Sequence, residues 1–342
     1  MPDLNTIARA LVAEGKGILA ADESAPTIKK RFDAIGAEST EANRRAYREL
    51  LFTTPGLGDF ISGVILFDET IRQQAADGTP LVEVLDRNGI IAGIKVDKGA
   101  KPLAGSPGET VTEGLDGLRD RLGEYVKLGA RFTKWRAVIA IGDGLPSRYC
   151  IDTNAEALAR FAALSQEAGL VPIVEPEVLM DGTHTIERCF EVSETALHCV
   201  FAALRRQQVV LEDMILKPNM VLSGKDCPRQ ADVETVAMQT IRCLRRAVPA
   251  AVPGIVFLSG GQSNEVATAH LNSMNASAQP HPWQVSFSYG RALQEAPLKA
   301  WGGKASNLKR AQDALHHRAR LNGAARRGTY AASMEKELVG AA

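Results

Sequence analysis

Apolar, β-branched runs alternate with amphipathic stretches along the whole 342-residue chain, and this rhythm constrains the fold more than any other feature. Runs at 17–20, 61–67, 90–96, 132–141, 170–174, 214–217, 255–258 and 283–288 read as strands. Between them, 41–51, 111–127, 153–168, 186–206, 233–248, 263–274 and 290–301 carry the periodicity of helices with one buried face. Gly, Pro and Asn punctuate the junctions. Parallel strands need crossover connections, so strands alternating with helices predict a parallel sheet in an α/β fold. Eight such strands close a (β/α)8 TIM barrel of roughly 250 residues. The surplus predicts an N-terminal helix over 2–13, one or two insertions and a C-terminal extension. After Leu321 the chain turns to small residues with interspersed charge. The expected organisation is one barrel domain over 1–323 and a flexible C-terminal tail over 324–342.

Composition narrows the function. Forty basic residues balance forty acidic ones, so no global field points to nucleic acid or an anionic membrane surface. Any anion site must be a local cluster. Apolar runs stay well short of the ~20 residues that span a bilayer, and the polar N-terminus does not resemble a secretory core. Five cysteines, an odd count without a CxxC pair, suggest free, buried structural thiols in a reducing, cytoplasmic setting.

The informative residues are charges at the ends of apolar strands, because the C-terminal strand ends of a barrel carry its active site. Asp22 and Glu23 follow the first run, and Lys95 lies in the third. Lys134 and Arg136 share one face of the fourth; Glu175 and Glu177 bracket Pro176 after the fifth; Lys217 ends the sixth. One such charge is usually a salt-bridged strand end. Several converging charges of both signs carry a burial cost that a site would explain. Lysines among carboxylates suit imine chemistry: a neutral amine attacks a ketone, and the protonated imine then draws electrons from a breaking C–C bond. Each proton transfer needs a carboxyl group within reach. Lys217, beside Ile215, Leu216 and Met220, has the more apolar context; Lys134, with Arg136 two residues away, competes with it. Local context leans to Lys217 without deciding.

Anion handling reads separately. Leu-Ser-Gly-Gly-Gln-Ser (258–263) follows the seventh strand and Ser-Tyr-Gly-Arg (288–291) the eighth, the positions where barrels bind phosphate. Glycines admit close backbone approach, helix N-termini favour an anion, and Arg291 can chelate it. A second anion site is expected around Ser24, Thr27, Arg31 and Lys95. Metal chemistry is disfavoured, since the six histidines show no HxH or HExxH spacing and most read as surface residues. No cofactor is expected.

These segments resemble a known family. Gly-Ile-Leu-Ala-Ala-Asp-Glu-Ser (17–24), Gly-Val-Ile-Leu-Phe (63–67), Gly-Ile-Lys-Val-Asp-Lys-Gly (93–99), Lys-Trp-Arg (134–136) and Val-Glu-Pro-Glu (174–177) are similar to class I fructose-bisphosphate aldolases. So are Leu-Lys-Pro-Asn-Met (216–220), Phe-Leu-Ser-Gly-Gly-Gln-Ser (257–263) and Phe-Ser-Tyr-Gly-Arg-Ala-Leu (287–293), in order from about residue 4 to 323. The resemblance implies a (β/α)8 barrel that cleaves fructose 1,6-bisphosphate reversibly in glycolysis and gluconeogenesis, without metal. It implies Lys217 as the Schiff-base lysine and Glu175 as acid and base. Asp22 would assist at the cleaved bond, with Lys134 and Glu177 as charged partners. Ser259, Gly260, Gly290 and Arg291 would hold the C1 phosphate, Lys95 and Ser24 the C6 phosphate, and Arg136 and Arg31 auxiliary contacts. A homotetramer is implied by family alone.

Two departures stand out. Ser24-Ala25-Pro26-Thr27 occupies the place where the family often reads Ser-Thr-Gly-Ser. Thr27 keeps a hydroxyl there, and Pro26 is expected to stiffen a loop and remove a backbone donor. Animal members end in a tyrosine implicated in protonating the enamine, whereas this chain ends Val-Gly-Ala-Ala and its last tyrosine is Tyr330. Deleting the residues after Tyr330 is therefore expected to change turnover little. The competing readings are another Schiff-base sugar-phosphate lyase or transaldolase, and a non-catalytic scaffold on the same fold.

Overall fold

Eight of the apolar runs pair side by side until the last returns to the first. The structure, a computed structural model, describes residues 3–277 and 279–339. In chain order its elements are α1 (Leu4–Leu11), β1 (Gly17–Ala21), α2 (Ala25–Asp33), α3 (Glu41–Phe52), β2 (Ile61–Leu66), α4 (Asp68–Ile71), α5 (Leu81–Arg87) and β3 (Ile91–Lys95). There follow β4 (Ala100–Pro102), β5 (Thr110–Thr112), α6 (Leu118–Lys127), β6 (Phe132–Ile139), α7 (Arg148–Glu167), β7 (Val171–Val178) and α8 (Ile186–Arg206). The last are β8 (Ile215–Leu216), α9 (Val233–Ala247), β9 (Gly254–Phe257), α10 (Asn264–Asn275), β10 (Gln284–Tyr289), α11 (Arg291–Trp301) and α12 (Leu308–Arg326). The order β1-β10-β9-β8-β7-β6-β3-β2 closes a barrel of parallel strands, while β4 and β5 form a separate antiparallel hairpin. The expected (β/α)8 barrel is what the chain forms. Among the described residues no helix is long and apolar enough to cross a membrane.

Alternation sorts the side chains of each strand between two cores. Ile18, Ala20, Ile65, Phe132, Val171, Ile173, Ile215 and Val256 fill the barrel and pack against Ile7, Ala8, Leu11 and Val12 at α1, which plugs its lower end. Residues of the other parity, among them Leu19, Val64, Trp135, Val174, Leu216 and Phe257, face the helices. Gly93 leaves room for Phe132: a Cβ there would come within 2.2 Å of the ring. Side-chain caps start five of the crossover helices, with Thr40, Ser147, Thr185, Asp232 and Ser263 each accepting from a backbone N–H three residues on.

Several sequence expectations change. The helix expected over 111–127 is only α6, because Gly114 (φ +130°) and Gly117 (φ +65°) break it and Thr110–Thr112 pairs with β4. The strand expected to end at Val174 runs to Val178, so Glu175 and Glu177 lie inside β7. Pro176 is tolerated because its nitrogen faces the side where β8 has already ended: pairing with β8 stops at Val174–Leu216. Residues 25–33 are helix, not loop, with Pro26 in the first turn, where no N–H partner is needed. Two of the histidines, His270 and His317, are buried and not on the surface; His184, His281 and His316 are partly exposed and His198 is exposed. The N-terminal helix spans Leu4–Leu11, and Pro2 lies outside the described residues. Helix α12 continues past Leu321 to Arg326, and 332–339 form a 3-10 helix, with 340–342 of the expected tail outside the described residues.

Candidate active site

Moving up the barrel, the inward parity changes from apolar to charged. Ile18 and Ala20 lead to Asp22; Phe132 leads to Lys134 and Arg136; Val171 and Ile173 lead to Glu175 and Glu177; Ile215 leads to Lys217. Period-two geometry thus aims all of them into one mouth. Lys134, Glu175, Glu177 and Lys217 are buried, Asp22 is nearly so, and Arg136 sits at the rim.

Glu175 stands between the two lysines. Its Oε1 lies 3.3 Å from Lys217 Nζ and its Oε2 3.2 Å from Lys134 Nζ. Lys134 also donates to Asp22 Oδ2 at 2.6 Å, so it has two carboxylate partners where Lys217 has one. Glu175 Oε2 is buried and, for all its closeness to Lys134, has no hydrogen bond of good angle. One lone-pair position on the central carboxylate is therefore uncommitted. Glu177 pairs with Arg136.

Burial alone would push these groups toward their neutral forms, and the opposite charges reverse it. Asp22 is held well below the usual carboxylate range, burial being overcome by Lys134, Lys217 and Lys95. Glu175 is lowered in the same way by Lys134, Lys217 and Arg136. Lys134 is raised far above an ordinary lysine, its desolvation outweighed by Asp22, Glu175 and Asp97. Lys134 is a fixed cation.

The frame around Lys217 is rigid. Its N–H donates to Val174 O at 2.8 Å, and Pro218 ends the strand. The Asn219 side chain then replaces the ladder, accepting from Val178 N at 2.9 Å and donating to Ser193 Oγ at 3.1 Å.

The two anion loops meet at the neighbouring strand ends. Ser259 is buried, and Gly260 (φ +57°) and Gly261 (φ +102°) adopt the left-handed conformation that glycine favours. Ser263 caps α10 and Gly290 precedes α11, so both loops run into helix N-termini. Exposed Arg291 donates to Gln262 O at 2.8 Å, tying one loop to the other. Arg31 joins this side: its Nη2 is 3.7 Å from where a Gly290 Cβ would stand. Ser24 and Thr27 hydrogen-bond to each other at 3.1 Å in the first turn of α2, and Lys95 pairs with Asp97 at 3.5 Å.

Three residues of the site, Asp97, Ser288 and Arg48, were given no role from the sequence. Asp97 is buried beside Lys95 and also accepts from the Arg136 N–H at 3.2 Å; a carboxylate two residues beyond Lys95 was the available signal. Ser288, on the inward parity of β10, has a buried hydroxyl without a hydrogen-bond partner, and its polarity inside an apolar strand was legible. Glu23 is gripped by Arg31 and Arg48, with Gln294 donating at 2.7 Å, and nothing in the sequence of α3 marks Arg48 as buried. Among the described residues no cluster of His, Cys, Asp or Glu has the arrangement to hold a metal ion. All five cysteines are buried and unpaired.

An α/β barrel with paired lysines and carboxylates at its C-terminal strand ends, beside two helix-backed anion loops, defines a barrel enzyme. The chain belongs to the class-I fructose-bisphosphate aldolase family, whose model matches residues 3–341. It is 61% identical over 324 residues to a probable fructose-bisphosphate aldolase class 1 of Xanthomonas campestris, covering 94% of this chain and 97% of that one. It is 55% identical over 316 residues to a cytosolic fructose-bisphosphate aldolase of Arabidopsis thaliana, covering 92% and 80%. The solved structure of fructose-bisphosphate aldolase from Plasmodium falciparum superposes with a TM-score of 0.95 at 52% identity, covering 96% and 95% of the two chains.

Proposed function

We propose that Lys217 forms the imine and that Glu175 is the acid and base serving it, in the reversible cleavage of fructose 1,6-bisphosphate to dihydroxyacetone phosphate and glyceraldehyde 3-phosphate. The observation that carries this assignment is the unequal pairing of the two lysines. Lys134 has Asp22 and Glu175 as partners and stays charged, which leaves it to position substrate; Lys217 has Glu175 alone.

Glu175, 3.3 Å from Lys217 Nζ, takes the ammonium proton of Lys217, and the amine so freed attacks the C2 carbonyl. The adduct nitrogen passes a proton to the new alkoxide, and the carbinolamine hydroxyl so formed leaves as water when Glu175 returns its proton to it. The resulting iminium accepts the electron pair of the C3–C4 bond as Asp22, kept anionic by three lysines, draws the C4 hydroxyl proton. Glyceraldehyde 3-phosphate departs, the enamine is reprotonated, and hydrolysis frees dihydroxyacetone phosphate. Glu177 holds Arg136 at the rim as a substrate contact. Ser259, Gly260, Gly290 and Arg291 hold the C1 phosphate, with Arg31 beside them; Ser24, Thr27 and Lys95 serve the C6 phosphate. A cytoplasmic homotetramer is the assembly we infer, in keeping with relatives named cytosolic.

Borohydride reduction in the presence of fructose 1,6-bisphosphate, followed by peptide mass mapping, tests the assignment. The expected adduct is on Lys217, formed with loss of activity and indifferent to EDTA. An adduct on Lys134 would reverse the two roles, and no adduct under conditions that trap another Schiff-base aldolase would remove the mechanism.

A further inference from the structure

Gln262 is the hub of the first anion loop, although no chemistry requires an amide there. Its Nε2 donates to Ser259 O at 2.9 Å and closes the loop on itself; its Oε1 lies 2.6 Å from His270 Nδ1 on α10. Its own carbonyl accepts from Arg291 at 2.8 Å, and its Nε2 also touches Met220 Sδ, three residues beyond Lys217, at 3.6 Å. Gln262 and His270 are both buried. The amide can face only one way, since a flip would set Oε1 against the Ser259 carbonyl, acceptor on acceptor. His270 must then donate from Nδ1. Burial pushes its imidazole down to about 4, so the ring is neutral near pH 7 and carries its one proton on that nitrogen.

We propose that Gln262 and His270 are positioning residues that hold the phosphate loop in its binding conformation and keep Arg291 beside it. The inference rests on the reading of Ser259, Gly260, Gly290 and Arg291 as a phosphate site. Two successive left-handed glycines are costly to order, because glycine has the most backbone freedom to lose. A loop released from its bracket has to be ordered again by each arriving phosphate, and that cost appears in affinity. The chemistry at Lys217 does not pass through these side chains, so the loss falls on KM and not on kcat.

The test compares His270→Leu, His270→Asn and Arg291→Ala in the full-length enzyme. KM and kcat for fructose 1,6-bisphosphate, the inhibition constant of inorganic phosphate, and Tm are measured for each. His270→Leu is expected to raise KM and the phosphate inhibition constant about tenfold, with kcat within about twofold of the wild type. His270→Asn places an amide N–H near Nδ1 and is expected to recover most of the difference. Unchanged KM and phosphate inhibition in His270→Leu, with only Tm lowered, would mean a packing role and overturn the inference; so would an Asn variant no better than Leu. If the Leu variant fails to fold, Gln262→Met is read by the same constants, with the same expected loss. Arg291→Ala separates the two levels. If it leaves phosphate inhibition unchanged, the site reading falls and takes this inference with it. If it weakens inhibition while the His270 and Gln262 variants do not, the inference alone falls.

Discussion

Lys134 holds two buried carboxylates in their charged forms, so removing its charge should expose what the site costs the fold. In Lys134→Met, Asp22 loses its 2.6 Å partner and Glu175 one of its two lysines. Breaking such a buried pair destabilises by about 3–5 kcal/mol. Adding Asp22→Asn should recover part of the loss, which a double-mutant cycle of urea midpoints would measure. The pH dependence has a definite sign. Asp22 and Glu175 are lowered from ordinary values of 3.8 and 4.5, so their stabilisation is complete above that range and drains as pH falls below it. Raised Lys134 contributes throughout neutral pH and is lost only above its ordinary 10.5. The Lys134→Met variant should therefore lose less stability than wild type between pH 5 and about pH 3; an equal loss would show that the pairing seen here does not set the acid slope. The identities of these residues were legible as charges ending apolar strands. Which lysine has one carboxylate and which has two was not, because that depends on side-chain approach across β1, β6, β7 and β8.

Among the elements, the barrel strands show how a missing side chain can be as informative as a present one. Gly93 and Phe132 are neighbours in the register of β3 with β6, and a Cβ on Gly93 would lie inside contact distance of the ring. Gly93→Ala should destabilise by about 1–3 kcal/mol through overpacking, read as a lower urea midpoint. Phe132→Leu in the same chain should return part of it. A neutral Gly93→Ala would mean that the barrel interior yields more than its packing implies. The same strands show where proline is tolerated. The apolar run was bounded at Val174, before Pro176, yet two-residue β8 leaves that flank of β7 open and the strand runs on through the proline. Pro26 was read as a loop stiffener, yet it sits in the first turn of α2. In both places the missing N–H turned out to have no partner to lose.

Across the whole molecule, the C-terminal segment is tied back onto the outer helices. Buried Arg318 pairs with Glu335 at 2.6 Å and donates to Thr268 Oγ1 at 2.7 Å on α10. Tyr330 donates to the same Glu335 at 2.9 Å, and its N–H reaches Asn272 Oδ1 at 2.9 Å. Truncation after Tyr330 removes Glu335 and leaves Arg318 without that charge-assisted pair, a loss of about 2 kcal/mol. Tm should fall while bisphosphate turnover at low temperature stays near wild type. A selective collapse of enamine proton exchange in the truncated enzyme, with Tm unchanged, would instead assign the segment a chemical part.

The sequence by itself determined the barrel, since hydrophobic period and crossover spacing are properties of the chain that eight parallel strands satisfy in one way. It also determined the cast of the site, because lysines and carboxylates inside apolar strands are expensive wherever they point. The tertiary structure alone decided the pairings: Glu175 between Lys217 and Lys134, Glu23 between Arg31 and Arg48, Gln262 between His270 and Ser259. Each joins residues brought together only by barrel closure or by a loop folding onto a helix. Burial gives those contacts their energy, and burial is a property of the assembled fold.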